Sequence, residues 1–115
     1  MKTFTKVMKA LSDTNRTKIV KLLQHKTMCV CELQGALHIS QPSVSKHLKI
    51  LEDAGLVTSE KDGLWVNYRL ADGQASPYAA SLLGSLRHWL DVEPDMIELV
   101  EKLPFLNRDV LCKKP

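Results

Sequence analysis

At Gly55 the hydrophobic period of this chain changes from helical to strand-like, and that change fixes most of what it can fold into. Before it, Ser40 to about Ala54 reads as a helix. Ser40 is a good N-cap, and Pro42 stands in the first turn, where its missing N–H does no harm. Val44, Leu48 and Leu51 recur along one face as a buried stripe. Gly55 is placed to take the left-handed C-terminal position. After it, Leu56–Glu60 and Leu64–Leu70 are β-prone, and the second of them alternates. Asp62-Gly63 between them is a hairpin turn signal.

Upstream, three more helices are expected. Thr3–Leu11 carries Phe4, Val7, Met8 and Leu11 at i, i+3, i+4 and i+7. Ser12 and Asp13 offer an N-cap for a second helix, Thr14–Gln24, with Ile19, Val20, Leu22 and Leu23 inside. His25 to Met28 reads as a connector. Val30–Leu37 is a short third helix with Leu33, Ala36 and Leu37 facing inward, joined to the fourth by His38-Ile39-Ser40. Downstream, a long helix runs from Ser76 to Leu90, with Ala79, Leu82, Leu83, Leu86 and Leu90 on one face. A last helix begins at Pro94 and ends before Pro104, using Met96, Ile97, Val100 and Leu103. Residues 1–115 read as one domain, and the polar stretch 105–115 as a mobile tail.

At 115 residues and 44% apolar, the chain has the composition of one globular domain, with a core built from aliphatic side chains because aromatics are only 5%. No apolar run approaches the roughly 18 residues that span a bilayer, and the N-terminus lacks a signal-peptide stretch; the expected location is the cytoplasm, away from membranes. Residues 1–70 hold 11 Lys and Arg against six Asp and Glu, whereas residues 71–115 hold five against seven. A basic front part suggests an anionic partner.

Helix, short link, helix, then hairpin is the winged helix-turn-helix arrangement, mainly α with a β-hairpin wing. The second helix of the pair would enter the major groove of double-stranded DNA. Its outward residues are Gln41, Ser43, Ser45, Lys46 and Lys49, and no acidic residue occurs between Glu32 and Glu52, where a carboxylate would repel phosphate. Gln can pair with adenine, and Ser or Lys can reach base edges or phosphate. His47 borders the buried stripe, where a hydrogen-bonding role inside the fold competes with a DNA contact. Lys61 at the wing tip suits flanking phosphates, though Asp62 beside it weakens that reading.

Four stretches, taken together, resemble the ArsR/SmtB family of metal-responsive repressors: Leu11-Ser12-Asp13-Thr14-Asn15-Arg16, Cys29-Val30-Cys31-Glu32-Leu33, Ser40 to Leu51, and Ala54-Gly55-Leu56-Val57. The resemblance covers about residues 5–90. It implies a homodimeric repressor that releases operator DNA when a metal or metalloid ion binds. It also implies pairing through the first helix and the long helix after the wing, which here makes Phe4, Met8, Leu82, Leu86 and Trp89 the candidate interface residues; the alternative is that they fill the monomer core.

Three cysteines, Cys29, Cys31 and Cys112, are an odd count that does not suit a disulfide framework. On a helix, residues i and i+2 point apart, so two thiolates at 29 and 31 cannot grip one ion without unwinding the start of the third helix. That helix would pack on the fourth through Leu33, Leu37, Val44 and Leu48, which makes ligand binding a route to altered DNA affinity. Thiolates favour soft ions. His25 and His38 read as solvated loop residues and His88 as isolated, so a tetrahedral zinc or cadmium site lacks a fourth ligand. A three-coordinate centre, arsenic(III) or antimony(III), needs only three sulfurs, and no organic cofactor. The resemblance agrees, since Cys29-Val30-Cys31-Glu32-Leu33 is similar to the arsenic-sensing motif. The third cysteine of the fuller motif is Gln34 here, which leaves Cys112 of the same chain or of a partner as the third sulfur. The competing readings are a thiol redox switch and a cadmium or zinc sensor. An i, i+2 disulfide is strained, which weighs against the first. No Ser/His/Asp set, Gly-rich phosphate loop or C-x-x-C spacing points to an enzyme.

Overall fold

The computed structural model describes residues 1–107. Helices α1 (Lys2–Leu11) and α2 (Thr14–Leu23) are followed by a two-residue strand, β1 (Met28–Cys29). Next come α3 (Val30–Leu37), α4 (Gln41–Asp53), β2 (Val57–Asp62), β3 (Trp65–Leu70), α5 (Pro77–Leu86) and α6 (Pro94–Lys102). Leu103–Phe105 close the described chain as a 3-10 turn. The three strands form one antiparallel sheet in the order β1-β3-β2. The α3–α4 pair and the β2–β3 hairpin make the winged helix-turn-helix.

Local chemistry explains the boundaries. Asp13 caps α2 by accepting from the Arg16 N–H at 3.0 Å. Ser40 caps α4, accepting from the Ser43 N–H at 3.3 Å, and Ser76 caps α5, accepting from the Ala79 N–H at 3.0 Å. His38 ends α3 in the left-handed region, and Gly55, at φ +76°, turns the chain from α4 into the wing. Val44, Leu48 and Leu51 of α4 are fully buried with Ile19, Val20 and Leu22 of α2, Leu33 of α3 and Leu56. This one core carries α4 on the remaining helices.

Four expectations are corrected. Met28, read as the end of a connector, forms a short strand with Cys29: Met28 pairs with Tyr68 and Cys29 with Asn67. The hairpin turns at Gly63-Leu64, one residue later than Asp62-Gly63, because Asp62 pairs with Trp65 and Gly63 supplies the positive φ of +62°. The helix expected to reach Leu90 stops at Leu86. The Leu86 carbonyl, which would accept from the Leu90 N–H in a longer helix, accepts from Lys21 Nζ at 2.7 Å, and Leu90 takes a left-handed φ of +69°. Val7 and Ala10 are the buried positions of α1, and Phe4 and Met8 are partly open to solvent, a placement the sequence leaves between interface and core. Leu106, inside the stretch read as tail, packs against the core.

Lys21 is 1% exposed. Its ammonium is paired with Asp91 and the Leu86 carbonyl, and so ties α2 to the end of α5. The Lys21 charge and hydrogen bond pull the Asp91 carboxyl below the ordinary aspartate value.

The α2 cap also responds to pH. Burial disfavours the Asp13 charge, but the Arg16 N–H, the Arg16 guanidinium and His47 outweigh it and hold the carboxyl below 3.8. A carboxylate with a lowered folded-state pKa favours the folded state above its unfolded value and loses that contribution as pH falls through the folded one. Asp13→Ala is expected to cost about 1 kcal/mol near neutral pH. In urea titrations the difference from the parent should shrink as the pH is taken below 3.8.

Candidate nucleic-acid interface and thiol site

The outer face of α4 holds the side chains suited to DNA. Gln41, Ser45, Lys46 and Lys49 are exposed, and Ser43 is partly so. Ser43 is held at the start of the helix by the Ser40 hydroxyl, which donates to its Oγ at 2.8 Å. Lys49 pairs with Asp53 at 3.2 Å, one turn along the same helix, which leaves Lys46 as the exposed cation of the first two turns. Lys61 is exposed on β2, two residues before the turn glycine.

His47 faces inward. Its Nδ1 lies 3.3 Å from Arg16 Nη1 and 3.9 Å from Asp13 Oδ2, and its side chain is mostly covered. Arg16 Nε donates to the Ala10 carbonyl at 2.8 Å and Nη2 to the Lys9 carbonyl at 3.1 Å. One guanidinium therefore joins the last turn of α1, the first turn of α2 and the middle of α4. Sequence reasoning gave Arg16 no role. The available signal was its place three residues after the capping Asp13.

The two described cysteines straddle a joint. Cys29 ends β1 and is the N-cap of α3 with an extended backbone, while Cys31 is the second residue of the helix. They are not both on an ideal helix, so the objection that i and i+2 residues point apart does not apply to this pair as first stated. Cys29 is a buried free thiol, and Cys31 is half-buried and engaged. Burial, and then the Glu32 charge, push the Cys29 thiol pKa up. The Cys29 N–H donates to Glu32 Oε1 at 3.0 Å, the spacing of a capping box. Glu32 Oε2 meets Lys26 Nζ at 3.3 Å. Glu32 and Lys26 are functional neighbours that sequence reasoning did not single out. The N-cap-to-N3 spacing of Cys29 and Glu32 was the missed signal.

Two elements receive whatever happens at this joint. Cys29 is laddered to Asn67 of the wing strand β3, and α3 packs on α4. Among the described residues no group of three His, Cys, Asp or Glu side chains is placed to hold a metal ion. Cys112, the remaining cysteine, lies outside the described residues. The two sulfurs at the joint therefore fit a thiophilic centre only with a donor from elsewhere. His25 is exposed, as expected of a solvated residue. His38 is exposed too, and its Nε2 lies 3.1 Å from Lys102 Nζ.

Of the five candidate interface residues, Phe4 and Met8 lie on α1 and are 38% and 36% exposed. Leu82 on α5 is partly buried, Leu86 is inside the single-chain core, and Trp89 stands beyond the end of α5 at 53% exposure. Phe4 meets Tyr78 edge-on at 5.2 Å, so α1 and α5 share one apolar face. No described helix is long and apolar enough to cross a membrane.

Comparison with known proteins follows the same lines. The pattern described as "Bacterial regulatory protein, arsR family" matches residues 13–59. The arsenic resistance transcriptional regulator ArsR1 of Pseudomonas putida is 37% identical over 99 residues, 83% of this chain and 76% of its own length. The arsenical resistance operon repressor of Escherichia coli K12 is 47% identical over 64 residues, and there the chain spans 55% of the relative. Among solved structures, the homodimeric winged helix-turn-helix DNA-binding domain Mb0332 of Mycobacterium bovis superposes with a TM-score of 0.63 at 26% identity, covering 75% of this chain and 76% of that one. With the Pseudomonas relative aligned over most of both chains, and with the helix pair and wing in place, the chain is a bacterial transcriptional regulator of the arsR family.

Proposed function

We propose that this chain is a repressor that binds operator DNA as a homodimer and leaves it when arsenic(III) or antimony(III) binds cysteine thiolates. In this reading α4 enters the major groove with Gln41, Ser43, Ser45, Lys46 and Lys49, and Lys61 of the wing reaches a flanking phosphate. His47 serves the interface from behind, through Arg16 and Asp13, by fixing the rotation of α4. The inducer takes Cys29 and Cys31 in their reduced form, with Cys112 as third sulfur.

The position of Cys29 carries the reading. It is at once the end of β1, the cap of α3 and the partner of Asn67 in the wing. Drawing its sulfur toward a common centre with Cys31 must move that joint, and both DNA-facing elements are attached to it. The names of the Pseudomonas and Escherichia relatives support arsenic as the inducer. The shared apolar face of α1 and α5, with Phe4, Met8 and Leu82 on it, supports dimerisation there, as does the homodimeric Mycobacterium structure.

The test is fluorescence anisotropy of the reduced protein on labelled DNA from its own promoter region, titrated with arsenite, and with cadmium and zinc in parallel. Release by arsenite at low stoichiometry is expected. Release by cadmium or zinc alone would overturn the metalloid assignment, and loss of binding only under peroxide would favour the redox switch. In the same assay Lys46→Ala should weaken binding to all sequences alike and lower the slope of log affinity against log salt by about 1. An unchanged slope would remove Lys46 from the phosphate contacts.

A further inference from the structure

Arg16 stands where three helices meet, and each of its guanidinium nitrogens is committed. Nε donates to the Ala10 carbonyl at 2.8 Å and Nη2 to the Lys9 carbonyl at 3.1 Å. Both carbonyls belong to the last turn of α1, where the helix itself supplies no i+4 partner. Nη1 lies 3.3 Å from His47 Nδ1 on α4. A guanidinium only donates, so Nδ1 is the acceptor and the ring proton is on Nε2. The apolar contact between α1 and α4 is of another kind. Val7 and Ala10 of α1 are buried in the same core as Val44, Leu48 and Leu51 of α4. Such burial holds helices together, but it is non-directional and resists rotation and sliding only weakly. A planar fork with donors in fixed directions removes that freedom.

We propose that Arg16 is a positioning residue that locks the recognition helix of each protomer to its own dimerisation helix, and so sets the half-site spacing that a dimer accepts. This rests on the reading of α4 as the DNA-reading helix and of the α1–α5 face as the dimer contact. Phe4 and Met8 of that face lie on the helix whose end Arg16 holds. The path from the partner protomer to the bases then runs through α1, the guanidinium and His47 to α4. One base pair inserted between two half-sites moves the second by about 3.4 Å and turns it by roughly 35°. A dimer rejects that change only if each α4 is held more tightly than this against the dimer face.

The experiment starts from random DNA. Reduced full-length protein selects sites from a library of random double strands, and sequencing gives the distribution of half-site spacings. Parent sites should share one spacing. In fluorescence anisotropy, adding one base pair between the half-sites should weaken parent binding about tenfold. Arg16→Gln should keep the base preferences of each half-site, spread over several spacings and reduce that ratio to about twofold. Its dimerisation constant by sedimentation and its slope of log affinity against log salt should stay at parent values, because Arg16 in this role touches neither the partner nor a phosphate. A general loss of stability would lower the active fraction and leave the ratio unchanged. Arg16→Lys keeps the charge without the fork, should behave like Arg16→Gln, and serves if the Gln variant does not fold. His47→Ala removes the acceptor and should broaden the spacing too; in that background Arg16→Gln should add nothing. An unchanged spacing preference in both Arg16 variants would overturn the proposal alone. A salt slope lowered by about 1 in Arg16→Gln but not in Arg16→Lys would make Arg16 a phosphate contact and overturn it as well. A parent that selects lone half-sites, or sediments as a monomer, would overturn the dimer reading and the proposal together.

Discussion

Cys29→Ser is expected to bind DNA like the parent and to ignore arsenite. Inducer coupling in such regulators is a difference in DNA affinity of roughly 5–150-fold, and the variant should reduce it to about onefold. The substitution separates the sulfur's role from the position's. Serine is a better N-cap than cysteine, so α3 should start at the same residue, and the Cys29–Asn67 backbone pairing needs no sulfur. Cys31→Ser, in the first turn of α3, should give the same loss of response. The measurement is the anisotropy titration of both variants beside the parent. Full release of either by arsenite would remove that cysteine from the inducer site.

The second large effect is on stability. Gly55→Ala meets two costs at once. Its φ of +76° lies in the left-handed region, which costs an L-residue about 1–2 kcal/mol. An added Cβ would also stand 2.4 Å from the Ala75 Cβ, and overpacking of that kind adds about 1–3 kcal/mol. Gly63, at φ +62°, has nothing within 4 Å of the same added atom. Gly63→Ala therefore carries only the backbone cost. Chemical denaturation should show a loss of about 2–5 kcal/mol for Gly55→Ala and about 1–2 kcal/mol for Gly63→Ala, with similar m-values. Equal losses would mean that the chain around Ala75 yields freely and that the close approach of the α4 exit to the loop before α5 is not a constraint.

How much of this was legible depended on whether the signal was local. The α3 bounds, the α4 cap and stripe, and the left-handed Gly55 follow from spacing and from residues with one dominant use, and sequence and structure agree there. The end of α5 was not legible. Residues 76–90 keep a helical stripe, but the helix ends because Lys21, some 65 positions earlier, takes the Leu86 carbonyl. A buried lysine inside an otherwise apolar run of α2 gives no sign of its partner. Strand β1 was missed for a different reason: two residues are too few to show a period, and the strand exists only because β3 lies beside it. Of the proposed thiol site, the two cysteines could be picked from the sequence and their surroundings could not. Glu32 entered only as part of the Cys29–Leu33 motif, and Lys26 only within the connector; their common geometry comes from the tertiary fold.

The burial of Cys29 has a consequence for the proton balance of sensing. A thiol kept out of water stays protonated, so any ligand that binds it must dispose of a proton. A soft divalent cation can only expel it, and its affinity then rises steeply with pH. A trivalent metalloid arrives as a neutral hydroxide; each sulfur–metalloid bond that forms joins the thiol proton to a departing hydroxide as water, and no proton is released. Under the proposed function, a buried, uncharged thiol at position 29 would favour a neutral acid over a hydrated cation, and the response would be nearly indifferent to the pH around the protein.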